Sequence, residues 1–174
     1  MNPVSLKQLK AIMPLAYGKA DLFLGPLNAA MAEFDISTPA RQASFLSQIA
    51  HESGQLRWVR ELASGKAYEG RKDLGNTQPG DGVRFKGRGL LQPTGRSNYA
   101  QAAAALHLDC INHPELLEQP LNAARAAGLF WKRNNLNALA DTGNQERVTR
   151  RVNGGVNGLA ERLAFYSAAV KALK

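Results

Sequence analysis

Apolar positions recur at helical spacing along most of the chain. Residues 5 to 13, SLKQLKAIM, bring Leu6, Leu9 and Ile12/Met13 onto one face behind Ser5 as a cap. Residues 21 to 34 carry Leu22, Leu27, Met31 and Phe34 in the same way, with Gly25-Pro26 as a predicted break. In STPARQASFLSQIAHESG, Thr38 is an N-cap, Pro39 takes the first helical position and Gly54 stands just past the end, so a helix is expected over about 39–53. Helical periods return from Ser97 in NYAQAAAALHL, PLNAARAAGLFWKR, NQERVTRRV and LAERLAFYSAAVKAL. In the last of these, Leu159, Leu163, Tyr166, Val170 and Leu173 form one stripe, read as the face of a packed core helix. The fold class is mainly α.

Residues 65 to 93 break this rhythm. Gly65, Gly70, Gly75, Gly80, Gly82, Gly87 and Gly89 punctuate a stretch that also holds Asp73, Asn76, Pro79 and Asp81. A segment this long without periodicity is either functional or disordered, and its Tyr68, Leu74, Val83 and Phe85 predict an ordered loop region, with a short hairpin as one arrangement.

At 174 residues and 44% apolar content, one domain spanning 1–174 can close a core. The balance of 22 Lys+Arg against 14 Asp+Glu, a formal +8, favours an anionic partner: nucleic acid, lipid headgroups or cell wall. No dense Lys/Arg helix or nucleic-acid reading motif is present, which counts against nucleic acid. Cys110 is the single cysteine, so neither an internal disulfide nor a cysteine-based metal site can form. No secretory signal and no apolar run near the ~18 residues of a membrane span is visible, and synthesis in a cytoplasm is expected.

The candidate chemistry starts in FLSQIAHESGQLRWVRELAS, where Glu52 and Glu61 stand nine positions apart. Phe45, Ile49 and Glu52 fall at i, i+4 and i+7, placing the carboxylate on the core-facing side of the 39–53 helix and at the negative end of its dipole. Both features favour the protonated form that a general acid needs. A continuous helix would put Glu61 on the far side, roughly 13 Å along the axis. Gly54 ends the helix, so Glu61 can return from the next segment to face Glu52 across a cleft, the two-carboxylate arrangement of glycoside hydrolysis. The alternative is a surface ion pair of Glu61 with Arg57 or Arg60. His51-Glu52 starts the zinc motif H-E-x-x-H, but position 55 is Gln55, so no metal is expected there and His51 is read as a hydrogen-bonding neighbour or a satisfied core histidine.

RFKGRGLLQPTGRSNY, residues 84 to 99, lacks the phosphate-loop and dinucleotide patterns. Its glycines let backbone approach a ligand, and Gln92, Thr94 and Asn98 are neutral polar side chains suited to hydroxyl and N-acetyl groups. The same residues would also serve as a capped turn opening the next helix.

The order of AHESG with its second glutamate, FKGRGLLQPTGRSNY, and RRVNGG with GLAERLAFY resembles glycoside hydrolase family 19, which includes plant chitinases and the endolysins of bacteriophages and prophages. The resemblance covers roughly residues 40 to 170. It implies a lysozyme-like fold of two lobes around a substrate cleft and hydrolysis of β-1,4 bonds by inversion, without cofactor or metal. Matched by motif, it implies Glu52 as general acid, Glu61 as general base and Thr94 as a holder of the attacking water. Gln92, Asn98, Tyr99, Asn153 and Tyr68 would bind the sugar, with His51 and Arg162 supporting the acidic centre from behind. The two acids are close in sequence, Cys110 is alone and the charge is positive, features that resemble the endolysin branch more than the disulfide-bearing plant enzymes. Peptidoglycan is then the expected partner of a monomer made in a host cytoplasm and acting in the periplasm after release, with contact to an anionic outer-membrane surface as a further expectation from charge. The rival readings are a chitinase of the same chemistry and a non-catalytic wall-binding module.

Overall fold

The computed structural model describes residues 2–174. Among these described residues nine α-helices follow in order: α1 Leu6–Ile12, α2 Gly18–Glu33, α3 Pro39–Glu52, α4 Asp81–Arg84, α5 Arg96–Leu106, α6 Pro120–Arg133, α7 Leu136–Asp141, α8 Gln145–Asn153 and α9 Leu159–Ala172. Short 3-10 turns at Pro14–Ala16, Lys66–Tyr68, Lys72–Leu74 and Pro114–Glu118 join them. The main lobe is built on two long helix pairs, α2 along α6 and α3 along α9, with α1 also against α9.

Local chemistry explains most boundaries. Ser5 and Gln8 form a reciprocal capping box on α1. Thr38 accepts the Arg41 amide, and Pro39 opens α3. Pro26, expected to break the second helix, sits inside an unbroken α2. Phe23, Leu27, Ala30 and Met31 are buried there, and the long seam against α6 outweighs the one backbone hydrogen bond that a proline removes.

The α9 face differs from the predicted stripe. Arg162 and Ala169 are its buried residues, with Phe165, Tyr166, Val170 and Leu173 packed partly against the core, whereas Leu163 is 43% exposed. A buried arginine defines the inward side, and the face turns away from Leu163 accordingly.

No strand is present among the described residues, and the Gly-rich region contains no hairpin: an isolated antiparallel bridge, Arg60 with Arg88, is the nearest approach to one. The glycines pack backbone on backbone instead. A Cβ on Gly65 would lie 2.4 Å from the Gly82 carbonyl oxygen. The Glu69 carboxylate accepts the amides of Gly80 (2.6 Å) and Gly82 (2.8 Å), satisfying donors that a ladder would otherwise have taken. This smaller lobe is tied to α5 through Asp81, whose carboxylate accepts from Arg96 Nη2 (2.5 Å) and Nε (2.9 Å) and from the Gln78 amide (3.0 Å).

The Arg96 guanidinium holds the Asp81 carboxyl below the usual carboxylate range. A depressed folded-state pKa adds stability above the ordinary Asp value and loses it as pH falls through the folded value. Asp81→Asn is therefore expected to cost about 1.5–3 kcal/mol at neutral pH, the scale of hydrogen bonds to a charged group. The difference from the native protein should shrink below about pH 4. Urea titrations at both pH values check this, and a pH-independent difference would contradict it.

Candidate active site

The last turn of α3 is shaped by an abrupt reversal. Ser53 Oγ donates to the Ile49 carbonyl (2.6 Å) and accepts the Leu56 amide (2.8 Å). Gly54, Gln55 and Leu56 then all take left-handed backbone, with φ of 56°, 58° and 68°. Two of these are not glycine, a conformation that persists only when the surroundings impose it. Leu56 is fully buried, and Gln55 Oε1 accepts the Leu15 amide at 2.8 Å, so packing and a hydrogen bond hold the turn. The chain returns along residues 87–89: Gly89 donates its amide to the Val59 carbonyl (2.8 Å), and Glu61 donates its amide to the Gly87 carbonyl (3.0 Å). The expected return of Glu61 from the segment after Gly54 is what the structure contains.

Glu52 ends α3 with 29% of its side chain exposed. Its Oε1 accepts from Arg162 Nη2 at 2.5 Å. Arg162 is almost fully buried, and it donates also to Gln48 Oε1 (2.6 Å) and the Asn157 carbonyl (3.1 Å). Sequence periodicity gave Glu52 an apolar setting; the structure gives it a cation. Beside this pair, His51 Nδ1 is hydrogen-bonded to Glu161 Oε2, so consecutive residues of α3 meet consecutive residues of α9. Gly158, the residue before α9, permits that approach: a Cβ there would fall 2.1 Å from His51 Cε1, and its φ is 69°. Asn153 closes α8 one turn beyond Thr149, whose hydroxyl accepts from Gln48 Nε2 at 3.3 Å. Asn153 therefore lies on the Glu52 side, where its Oδ1 accepts the Gly155 amide (3.0 Å).

Among the described residues no cation pairs with Glu61. Its Oε2 accepts from the Tyr68 hydroxyl (2.9 Å) and its Oε1 from the Gly87 amide (3.0 Å). The bonded carboxylate pushes the Tyr68 hydroxyl pKa up, and burial adds to the shift. Gly87 gathers the rest: a Cβ on it would lie 3.3 Å from both Thr94 Oγ1 and Gln92 Oε1. Gln92 has φ of 46°, Thr94 Oγ1 donates to the Gln92 carbonyl (3.1 Å), and Asn98 Nδ2 donates to the Thr94 carbonyl (2.7 Å). Glu61, Tyr68, Gln92, Thr94 and Asn98 thus form one connected group, with Tyr68 engaged as a support for Glu61.

Tyr99 does not join them. Expected to contact sugar, it is fully buried, its hydroxyl donating to the Lys86 carbonyl (2.7 Å) and accepting from Arg88 Nη1 (3.0 Å). Burial pushes its pKa up to about 12, against the opposing pull of Arg88. Next to Asn98 in sequence, it points to the other side of α5 and packs on Phe85, with ring centroids 5.1 Å apart. Sequence reasoning also passed over Gln48, Glu161 and the Gly87 amide. Gln48 lies four residues before Glu52 on the same helix face, a signal that the HE pair could have supplied; nothing local pointed to Gly87. Among the described residues no three His, Cys, Asp or Glu side chains converge as a metal site.

The arrangement provides two carboxylates anchored by independent elements, one in an ion pair and one between a phenol and an amide, with amide and hydroxyl side chains alongside. Such a pair can divide proton donation and water activation. No protein-family model matches the chain. A glycosyl hydrolase family 19 domain-containing protein of Haemophilus influenzae is 32% identical over 160 residues, covering 74% of this chain and 78% of that protein. An endochitinase of Arabidopsis thaliana is 33% identical over 114 residues, covering 65% of this chain but only 39% of the plant protein. Among solved structures, a bacterial family 19 chitinase superposes with a TM-score of 0.77 at 23% identity, over 99% of this chain and 95% of that one. Chitinase C from Streptomyces griseus gives a TM-score of 0.75 at 22% identity, over 98% and 92%. The helical order, the lysozyme-like architecture shared with these structures and the relationship to the Haemophilus protein place the chain in glycoside hydrolase family 19.

Proposed function

We propose that this glycoside hydrolase is an endolysin domain that cleaves β-1,4 bonds of bacterial peptidoglycan by inversion, with residues 1–174 acting as one catalytic unit. The observation that carries the reading is the pair of carboxylates: Glu52 fixed by Arg162, and Glu61 fixed by Tyr68 and the Gly87 amide. In this reading Glu52 protonates the leaving oxygen and Glu61 activates a water that Thr94 helps to hold, while Gln92, Asn98 and Asn153 contact the sugars. An inverting pair needs room for that water, with carboxyl groups about 6.5–9.5 Å apart. The formal charge of +8 suits an anionic polymer better than neutral chitin. The protein would be made in a host cytoplasm and reach the wall after release.

A chitinase reading draws support from the endochitinase relative and the chitinase structures. Digestion of purified peptidoglycan beside chitin oligomers, with mass analysis of the new reducing ends, separates the two. Release of muramyl or glucosaminyl ends from the wall is expected, and cleavage of chitin alone would overturn the endolysin reading. Product NMR before mutarotation tests inversion through the anomer first formed.

Thr94 acts through neutral hydrogen bonds and supplies no proton to the reaction. Thr94→Ala is expected to lower turnover by about tenfold, the scale of one such bond, and to leave the melting temperature almost unchanged. A loss exceeding that of Glu61→Gln would contradict the roles assigned.

A further inference from the structure

A pocket of about 370 Å³ opens between α5 and α6 and shares a wall with the candidate site, because Pro93 and Asn98 line it and Asn98 is bonded to the Thr94 carbonyl. Its apolar side is formed by Leu129 and Phe130, and its polar side includes Gln101 and Arg133. Among the described residues no acidic side chain lines it. Arg133 is exposed at the end of α6 and has no ion-pair partner among the described residues. It contrasts with Arg41, Arg88, Arg96, Arg125 and Arg162, each held by a carboxylate. A second guanidinium, Arg151, reaches the backbone beside the pocket, its Nη1 lying 3.5 Å from the Asn134 carbonyl oxygen.

A forked cation without an ion-pair partner among the described residues, lining one pocket with an apolar wall and with Pro93 and Asn98 of the loop proposed to bind sugar, matches a glycan whose ring bears a carboxylate on a short aliphatic arm. We infer that this pocket receives the carboxylate-bearing substituent of a muramyl residue, with Arg133 as the side chain that selects it over an unsubstituted N-acetylglucosamine unit. The inference rests on the peptidoglycan reading and deepens it. Leu129 and Phe130 would cover the single methyl group of the lactyl arm, and the guanidinium would bind the carboxylate in a bidentate manner. The carboxylate has two sources: the lactyl group itself where a muramyl residue carries no peptide, and, where that carboxyl is taken up in the amide bond to the stem, the peptide's own carboxylates.

The test is binding by calorimetry to the full chain carrying Glu52→Gln, which leaves ligands uncut, or Glu61→Gln should the first variant not fold. Three soluble ligands are compared: a neutral N-acetylglucosamine oligomer, a muramyl oligomer without peptide, and the same oligomer with its stem. A muramyl ligand should bind more tightly than the neutral one, with the gap closing as salt is raised. Adding Arg133→Gln should weaken the preferred ligand by about tenfold, as loss of a charge-assisted bond implies, and the neutral one far less. Arg133→Lys should restore part of the difference. A preference present without peptide assigns the lactyl carboxylate, and one that needs the stem assigns the peptide. Equal weakening of all three ligands, or no muramyl preference at all, overturns the inference. Failure of the native enzyme to cut peptidoglycan is a separate result: it overturns the endolysin reading, while the ligand preference is still measured.

Discussion

Glu52→Gln is expected to abolish nearly all glycan hydrolysis while the protein still folds. Removing general acid catalysis alone costs about 10²- to 10⁴-fold, and glutamine offers no acidic proton at neutral pH. The side-chain shape is kept, and the amide oxygen can still accept from Arg162 Nη2, whose other donors remain on Gln48 Oε1 and the Asn157 carbonyl. What changes is charge: the buried guanidinium loses its counter-ion, so melting should fall by a few degrees without loss of cooperativity. Glu61→Gln should lower turnover comparably but disturb its surroundings differently. The native carboxylate accepts from both Tyr68 and the Gly87 amide, and a glutamine presents one oxygen and one NH₂, leaving one of the two donors facing another donor. Initial rates of reducing-end release from a defined glycan, with circular dichroism of each variant, give the comparison. A folded Glu52→Gln protein that turns over at the native rate would remove the acid from the proposal.

The sequence announced both ends of α3 because its signals are local. Thr38 and Pro39 at the start and Gly54 past the end act within a few residues, and the N-cap bond that Thr38 makes is the one expected from its residue type. Glu52 and Glu61 could therefore be separated onto two segments before any coordinates. What each carboxylate touches was not legible in the same way. The Gly87 amide lies 26 residues beyond Glu61 and carries no side-chain signature. Arg162 was reached through motif resemblance and could not have been found by periodicity, which read α9 as an apolar stripe and set Leu163 inward. A fully buried arginine contradicts the hydrophobic pattern that periodicity relies on, and such conflicts are expected where a protein builds a site. The missing hairpin and the unbroken α2 have another cause. Glycine and proline mark where a backbone is permitted to bend, but the Gly65 contact with Gly82 and the packing of α2 on α6 decide what it does there.

Arg162 carries the second large effect. Among the described residues it is the one group joining α9, Gln48 one turn before the end of α3, and the Glu52 carboxylate. Arg162→Met keeps most of the buried volume but removes three donors at once. Gln48 Oε1 loses its hydrogen bond in a buried setting, and Glu52 loses its cation while 29% of its side chain stays in contact with water. Breaking a fully buried pair costs about 3–5 kcal/mol, and partial solvation of Glu52 moves the expectation to about 2–4 kcal/mol. For a chain of this length that corresponds to a fall in melting temperature of roughly 5–15 °C. Activity should drop further than stability explains, because the carboxylate proposed as the acid, once free to rotate, would no longer meet the leaving oxygen in one geometry. Arg162→Lys separates the two contributions: it keeps the charge but cannot hold Glu52, Gln48 and the Asn157 carbonyl in one planar fork. It should therefore recover much of the stability and little of the turnover. If Arg162→Lys matched the native protein in both, charge alone would suffice and the three-point brace on Glu52 would have no part in catalysis.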